Sequence, residues 1–280
     1  MEYLERRVAM VNDRLESVTG AVEPADLSAE LEHVALAGGK RVRPTVTLLA
    51  CEAAGGDAED AVDFAVGVEL VHNASLVVDD IIDRSAVRRG TPSAWAEYGH
   101  GPALIASDGL LGEAFGLFST DERAMQVVSE AMVELGEGEA TELADRPDSE
   151  AAYMRLAERK TGALFRAAAE LGAIAAGADG FTVESFGEYA ERVGVAFQIR
   201  DDVLDATAEG SDLGKPAGQD EEMDRPSLLQ VTDLSPDEAN ERARREADEA
   251  LAALETAGIG ESDARGYLRD LAEFVVVRER

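Results

Sequence analysis

Apolar residues recur along this chain at spacings of three and four over long stretches, while sustained period-two alternation is absent. The pattern therefore predicts helices and no sheet. Residues 1–19 open with an apolar stripe of Leu4, Val8, Val11 and Leu15. Val22 to Leu27 reads as a turn containing Pro24, and Ser28 is placed to cap a helix running toward Ala37. Gly38 and Gly39 end that helix, and another apolar one follows over 45–54. The central element spans 60–83; from Glu69 to Asp83 it has neither Pro nor Gly and reads as a largely buried helix. A short helical piece around Trp95 precedes helices over 103–119, 121–143, 149–176 and 183–206. Lys160-Thr161-Gly162 lies in mid-course of the third, where its glycine marks a close approach or a local irregularity. The charged, glycine-containing stretch 208–225 interrupts the pattern, and helices resume over 236–256 and 263–277. No linker divides the chain, so residues 1–280 are expected to form one all-α bundle enclosing a site between facing helices.

Composition narrows the setting. The 45% hydrophobic content supplies a sizeable core, and the single Cys51 excludes an intrachain disulfide framework and fits a reducing cytosol. Met1 to Arg7 lacks a basic region followed by an apolar run, and no stretch approaches a span of uninterrupted apolar residues. Neither a secretory signal nor a transmembrane segment is expected, and the predicted location is the cytoplasm. Fifty-eight acids against 26 Lys plus Arg give a formal charge of −32, which argues against a nucleic-acid partner. The acids are dispersed over the predicted helices, so self-repulsion relieved by screening points to a high-salt cytoplasm. Lysine occurs only as Lys40, Lys160 and Lys215, each beside a glycine or in a candidate anion-binding position.

The chemistry concentrates in a repeated motif. DDxxD occurs at Asp79-Asp80-Asp83 and again at Asp201-Asp202-Asp205, both times at the C-terminal end of an apolar helix and followed by a loop carrying cations. Helical spacing puts the first and last aspartates of each triad one turn apart on one face. One such triad is also what a polar terminal turn looks like; two facing each other gather six carboxylates around one cavity. Divalent cations that prefer oxygen relieve that repulsion, and Mg²⁺ suits carboxylates that share it with phosphate oxygens. The segment GGKRVRP, Gly38 to Pro44, exposes backbone beside Lys40, Arg41 and Arg43 and makes a workable diphosphate-binding element.

With GGKRVRP, DDIID followed by RRG, Lys160-Thr161, FQIRDDVLD and Gly214-Lys215 in place, the chain resembles the trans-isoprenyl diphosphate synthases of the polyprenyl synthetase family over most of residues 30–225. Among these it is most similar to geranylgeranyl diphosphate synthases. The resemblance implies antiparallel helices around a deep cavity, a homodimer, and head-to-tail condensation of isopentenyl diphosphate with an allylic diphosphate. It implies that Asp79, Asp80 and Asp83, with Asp201, Asp202 and Asp205 opposite, bind Mg²⁺, three ions in all with the bound diphosphate. Lys40, Arg43, His72 and Arg89 then correspond to the isopentenyl diphosphate pocket, and Arg88, Lys160 and Lys215 to the allylic diphosphate. Thr161 and Gln198 line the site, with His72 and Gln198 equally readable as structural residues. The small Ala74 and Ser75, just upstream of the first triad, correspond to the floor that limits product length and leave room for a C20 chain. The loop 207–225 is the expected lid.

Two departures matter. Where the family continues Gly-Lys-x-Thr-Leu-Pro, this chain has Asp224-Arg225-Pro226, so Arg225 supplies charge with different geometry. The region after Leu229 also looks short for the family. A terpene cyclase-like enzyme, or a non-catalytic partner subunit of a prenyl diphosphate synthase, therefore stands as the alternative.

Overall fold

The computed structural model describes residues 2–144, 147–207 and 226–277. Helices α1 (Glu2–Thr19), α2 (Ala25–Ala35), α3 (Val42–Ala53) and α4 (Ala58–Ile82) lead into a two-residue ladder, β1 (Val87–Arg88) with β2 (Thr91–Pro92). Then come α5 (Ala94–Tyr98), α6 (His100–Phe118), α7 (Glu122–Ala144) and α8 (Glu150–Ala157). A π-helical turn, Glu158–Gly162, joins α8 to α9 (Ala163–Ala175), which is followed by α10 (Gly180–Thr207). The chain closes with α11 (Leu228–Val231), α12 (Pro236–Thr256) and α13 (Asp263–Val277).

Helix α4 sits at the centre and packs against α6, α3 and α9, while α10 lies between α9 and α12. By length and composition α4 could cross a membrane, but 67% of its most apolar window is buried against the other helices. Burial of Phe64, Val68, Leu70 and Val71 with Phe118, Phe165, Phe186 and Tyr189 makes the main core. That removes large apolar side chains from water at roughly 1.5–3 kcal/mol each. A smaller cluster, which includes Tyr153, Met154, Val195, Ile199, Val203 and Leu228, holds α11 against α8 and α10. This second cluster anchors the chain where it re-enters after the 208–225 segment.

Local chemistry moved several boundaries. Helix α2 begins after Pro24, so Ser28 lies inside it and donates to the Thr19 carbonyl at 2.9 Å instead of capping. Helix α3 begins at Val42, with Arg41 left-handed at its N-cap (φ 51°). The mid-course irregularity at Lys160 is the π-helical turn, a distortion that recurs at functional sites. The hairpin was not visible as alternation because it is only two residues long. Arg89 and Gly90 form its turn with φ of 53° and 81°, the left-handed pair that a two-residue loop requires.

Candidate active site

The first triad ends α4. Asp83 is the helix C-cap, its amide bonded to the Asp79 carbonyl at 2.8 Å, so the two are one turn apart as the spacing predicted. Asp79 and Asp83 are partly exposed, whereas Asp80 is buried. Arg88 lies against Asp80, Nε donating to both carboxylate oxygens at 3.0 and 3.2 Å. In the second triad Asp201 is exposed, Asp205 partly so, and Asp202 buried. The middle aspartate of each motif thus turns into protein while its neighbours face outward.

Lys160 lies against α7. From the π-helical turn its Nζ donates to Glu142 and lies 3.3 Å from Glu139, both on α7. A Cβ on Gly138 would lie 3.0 Å from the Lys160 amide nitrogen, so glycine is what lets α7 come this close. Burial raises Glu139 to about 7, and the nearby Asp79 and Glu142 carboxylates add to this against the pull of Lys160. Burial pushes the Lys160 ammonium down, but Glu142 and Glu139 more than offset it, leaving its pKa above the ordinary lysine value. Glu142, Lys160, Thr161, Gln198, Asp202 and Pro226 line a common cavity of about 90 Å³. The charge of Asp79 is felt at Glu139 and Lys160, and Lys160 shares its cavity with Gln198 and Asp202 of α10. Glu139 and Glu142 escaped the sequence reading. Their only signal was a pair of acids three apart on one helix face, common on any solvated helix.

A cationic wall meets α4 two turns before the first triad, at His72 and Asn73. Arg43 stacks over Phe165, 4.5 Å from its ring centre, and its Nη1 lies 3.3 Å from His72 Nε2. Burial lowers Arg43 to about 10, still a cation at neutral pH. Burial, then the charges of Arg43, Arg89 and Arg88, hold His72 well below the usual histidine range, so it is neutral. Arg89 reaches across the glycine turn, Nη1 donating to the Gly38 carbonyl at 2.5 Å and approaching Asn73 Oδ1 at 3.4 Å. A Cβ on Gly39 would meet the Arg89 guanidinium carbon at 2.8 Å, and its φ of 117° itself calls for glycine.

Other predicted residues lie elsewhere. Arg41 points inward as a structural staple, pairing with Glu69 at 2.6 Å and donating to the Ala35 carbonyl and Asn12. Lys40 is exposed and lines a separate, mainly apolar cavity of about 390 Å³ with Leu4, Val8, Val42, Tyr267 and Phe274. Ala74 is buried (1% exposed), whereas Ser75 is partly exposed and donates to the His72 carbonyl at 2.9 Å. Lys215, Arg225 and the loop 207–225, apart from Thr207 itself, lie outside the described residues.

The donors fit hard cations, because the outward-facing aspartates offer only carboxylate oxygen. Among the described residues no three acids or histidines converge closely enough to hold an ion unaided. A bound ion would thus need oxygens from a ligand as well, which is how Mg²⁺ binds phosphorylated substrates.

The polyprenyl synthetase family model matches residues 24–257. The chain belongs to the polyprenyl synthetase family. It is 32% identical to the short chain isoprenyl diphosphate synthase of Methanothermobacter thermautotrophicus over 320 aligned positions, covering 100% of this chain and 98% of the relative. Since this chain has 280 residues, the relative carries additional ones within the aligned span. The geranylgeranyl pyrophosphate synthetase of Geoglobus acetivorans superposes with a TM-score of 0.88 at 30% identity, over 99% of this chain and 98% of that one. A polyprenyl synthase from Caulobacter crescentus, solved with calcium and isoprenyl diphosphate, gives 0.90 at 31% identity, over 100% and 97%. This chain is accordingly an all-α bundle and an enzyme of isoprenoid-synthase, prenyl-transferring chemistry.

Proposed function

We propose that the protein condenses isopentenyl diphosphate with an allylic diphosphate in a Mg²⁺-dependent reaction whose main product is geranylgeranyl diphosphate. One observation carries this. Lys160, within electrostatic reach of Asp79 at the end of α4, lines one cavity with Gln198 and Asp202 of α10, which supports both aspartate motifs serving one substrate head group.

Asp79, Asp83, Asp201 and Asp205 are the residues placed to hold the ions. When bound, Mg²⁺ neutralises charge developing on the departing diphosphate. Lys160 leaves its glutamate partners to meet that diphosphate, with Lys215 and Arg225 assigned the same role from their motifs. Arg43 and Arg89 offer fixed charges to the diphosphate of the second substrate, and neutral His72 beside them is a hydrogen-bonding partner without a further charge. Lys40 joins them only if its flexible side chain turns away from the apolar cavity. The isopentenyl double bond attacks the allylic cation, and the released diphosphate takes the proton. No serine or cysteine nucleophile enters; burial raises the Cys51 thiol to about 12 and keeps it inert.

The C20 product is supported by the Geoglobus relative and by the small Ser75 below Asp79. A homodimer is carried over from the family resemblance, and Leu104, Ile105 and Val133 are apolar side chains exposed in the single chain. Salt adaptation rests on the −32 charge, and a cytoplasmic setting on the single Cys51. The test is product analysis with Mg²⁺, isopentenyl diphosphate and each of the C5, C10 and C15 primers at high salt. Consumption of both substrates with a C20 product is expected. Consumption of the allylic diphosphate alone would instead mark a cyclase, and no turnover a partner subunit.

A further inference from the structure

Asp202 has the same place in its motif as a metal-binding aspartate would, yet its surroundings are those of a structural hub. It is 4% exposed, and three groups from three segments converge on it. The Tyr153 hydroxyl on α8 donates to Oδ2 at 2.6 Å, and the Leu228 amide at the start of α11 donates to the same oxygen at 2.8 Å. Gln198 Nε2, one turn earlier on α10, donates to Oδ1 at 3.0 Å. Gln198 Oε1 in turn accepts from Thr161 Oγ1 at 2.9 Å, and Thr161 adjoins Lys160 in the π-helical turn. A carboxylate oxygen already receiving two donors at these distances has its lone pairs directed at protein. The neighbouring Asp201, one residue earlier, is exposed.

We infer that Tyr153 is a positioning residue for the reaction, acting through Asp202, which orients the Gln198–Thr161 wall beside Lys160 instead of ligating a cation. This assignment rests on the proposed condensation. A phenol donating to a carboxylate makes a short, charge-assisted bond, strong enough to fix which way Asp202 points. Asp202 then fixes the Gln198 amide, and the amide fixes Thr161 at the edge of the turn that presents Lys160. The ring of Tyr153 belongs to the cluster with Ile199, Val203 and Leu228, so the packing and the hydroxyl can be separated by substitution.

Tyr153→Phe removes only the hydroxyl. The expected result is a kcat lower by about tenfold or more, since a small misplacement of a reacting group has effects of this size. KM for both diphosphates should stay within about threefold, the signature of a group acting in the transition state. Calorimetric titration of Mg²⁺ with inorganic pyrophosphate should give affinities within about threefold of wild type for Tyr153→Phe and Asp202→Asn, against a loss of about tenfold or more for Asp201→Asn. A wild-type kcat in folded Tyr153→Phe would overturn the positioning role, as would a kcat loss accompanied by early thermal unfolding. Equal losses of Mg²⁺–pyrophosphate affinity in the Asp202 and Asp201 variants would overturn the hub and restore Asp202 as a ligand. Wild-type protein inactive with isopentenyl diphosphate and every primer would refute the proposed condensation itself, an outcome separate from these.

Discussion

Arg88 on β1 closes on Asp80, with Nε shared between both carboxylate oxygens and Nη2 at 2.5 Å from Oδ1. The pair holds β1 against the end of α4, and with it the turn that presents Arg89. A buried carboxylate stripped of its partner is costly, so Arg88→Ala should destabilise by about 2 kcal/mol. That corresponds to an unfolding midpoint lower by about 5 °C, and Asp80→Asn in the same background should recover part of it. Thermal unfolding followed by circular dichroism decides; an Arg88→Ala protein as stable as wild type would mean that the pair is dispensable.

Product length should respond to Ser75. Four residues before Asp79, it lies within about 40° of the same helix face, while Ala74 is rotated by about 140°. Ala74 is also covered, and Ser107 on α6 donates to its carbonyl at 3.1 Å. Ser75→Phe should therefore shift the product toward C15, whereas Ala74→Phe should chiefly disturb the α4–α6 packing. Chromatography of dephosphorylated products from one primer distinguishes them. Unchanged products from an active Ser75→Phe enzyme would put the floor on another helix.

The fold was largely legible because a helical period repeats over many turns, and both aspartate motifs stood out because acids on apolar helices are conspicuous. What stayed hidden depended on tertiary approach. Nothing in the sequence distinguishes Arg41, folded inward onto Glu69, from Arg43 two positions on, which faces His72. Glu139 and Glu142 look like solvated helix residues until Gly138 brings α7 against Lys160. The burial of Asp80 and Asp202 likewise depends on Arg88, Tyr153 and Leu228, which the triad spacing does not reveal.

Glu139 should leave a mark on the pH dependence of stability. Burial, with Asp79 and Glu142 nearby, raises its folded pKa to about 7, so the folded state binds a proton that the unfolded chain releases. Its unfavourable contribution is small below the unfolded carboxylate range and grows as pH rises toward about 7, where it is fully present. Glu139→Gln should accordingly gain stability over wild type by about 1 kcal/mol at pH 8, after allowance for solvent screening, and by less at pH 5. Thermal scans in metal-free buffer measure it. A variant whose advantage is equal at both pH values would remove the assigned pKa.

Salt should stabilise the protein. With a formal charge of −32, raising KCl from about 0.1 M to about 2 M screens acid–acid repulsion and should raise the unfolding midpoint. A midpoint that stays flat or falls would leave the acidic surface without this role.

The central claim is that the two motifs operate on one diphosphate, and a double-mutant cycle on Asp79 and Asp201 tests it most directly. Asp79→Asn and Asp201→Asn should each lower kcat by about 100-fold or more, a transition-state loss of about 3 kcal/mol. Groups that act as a unit are not additive, so the double variant should be little worse than the poorer single one. Near-wild-type turnover in either folded single variant, or losses that simply multiply in the double, would contradict a shared site.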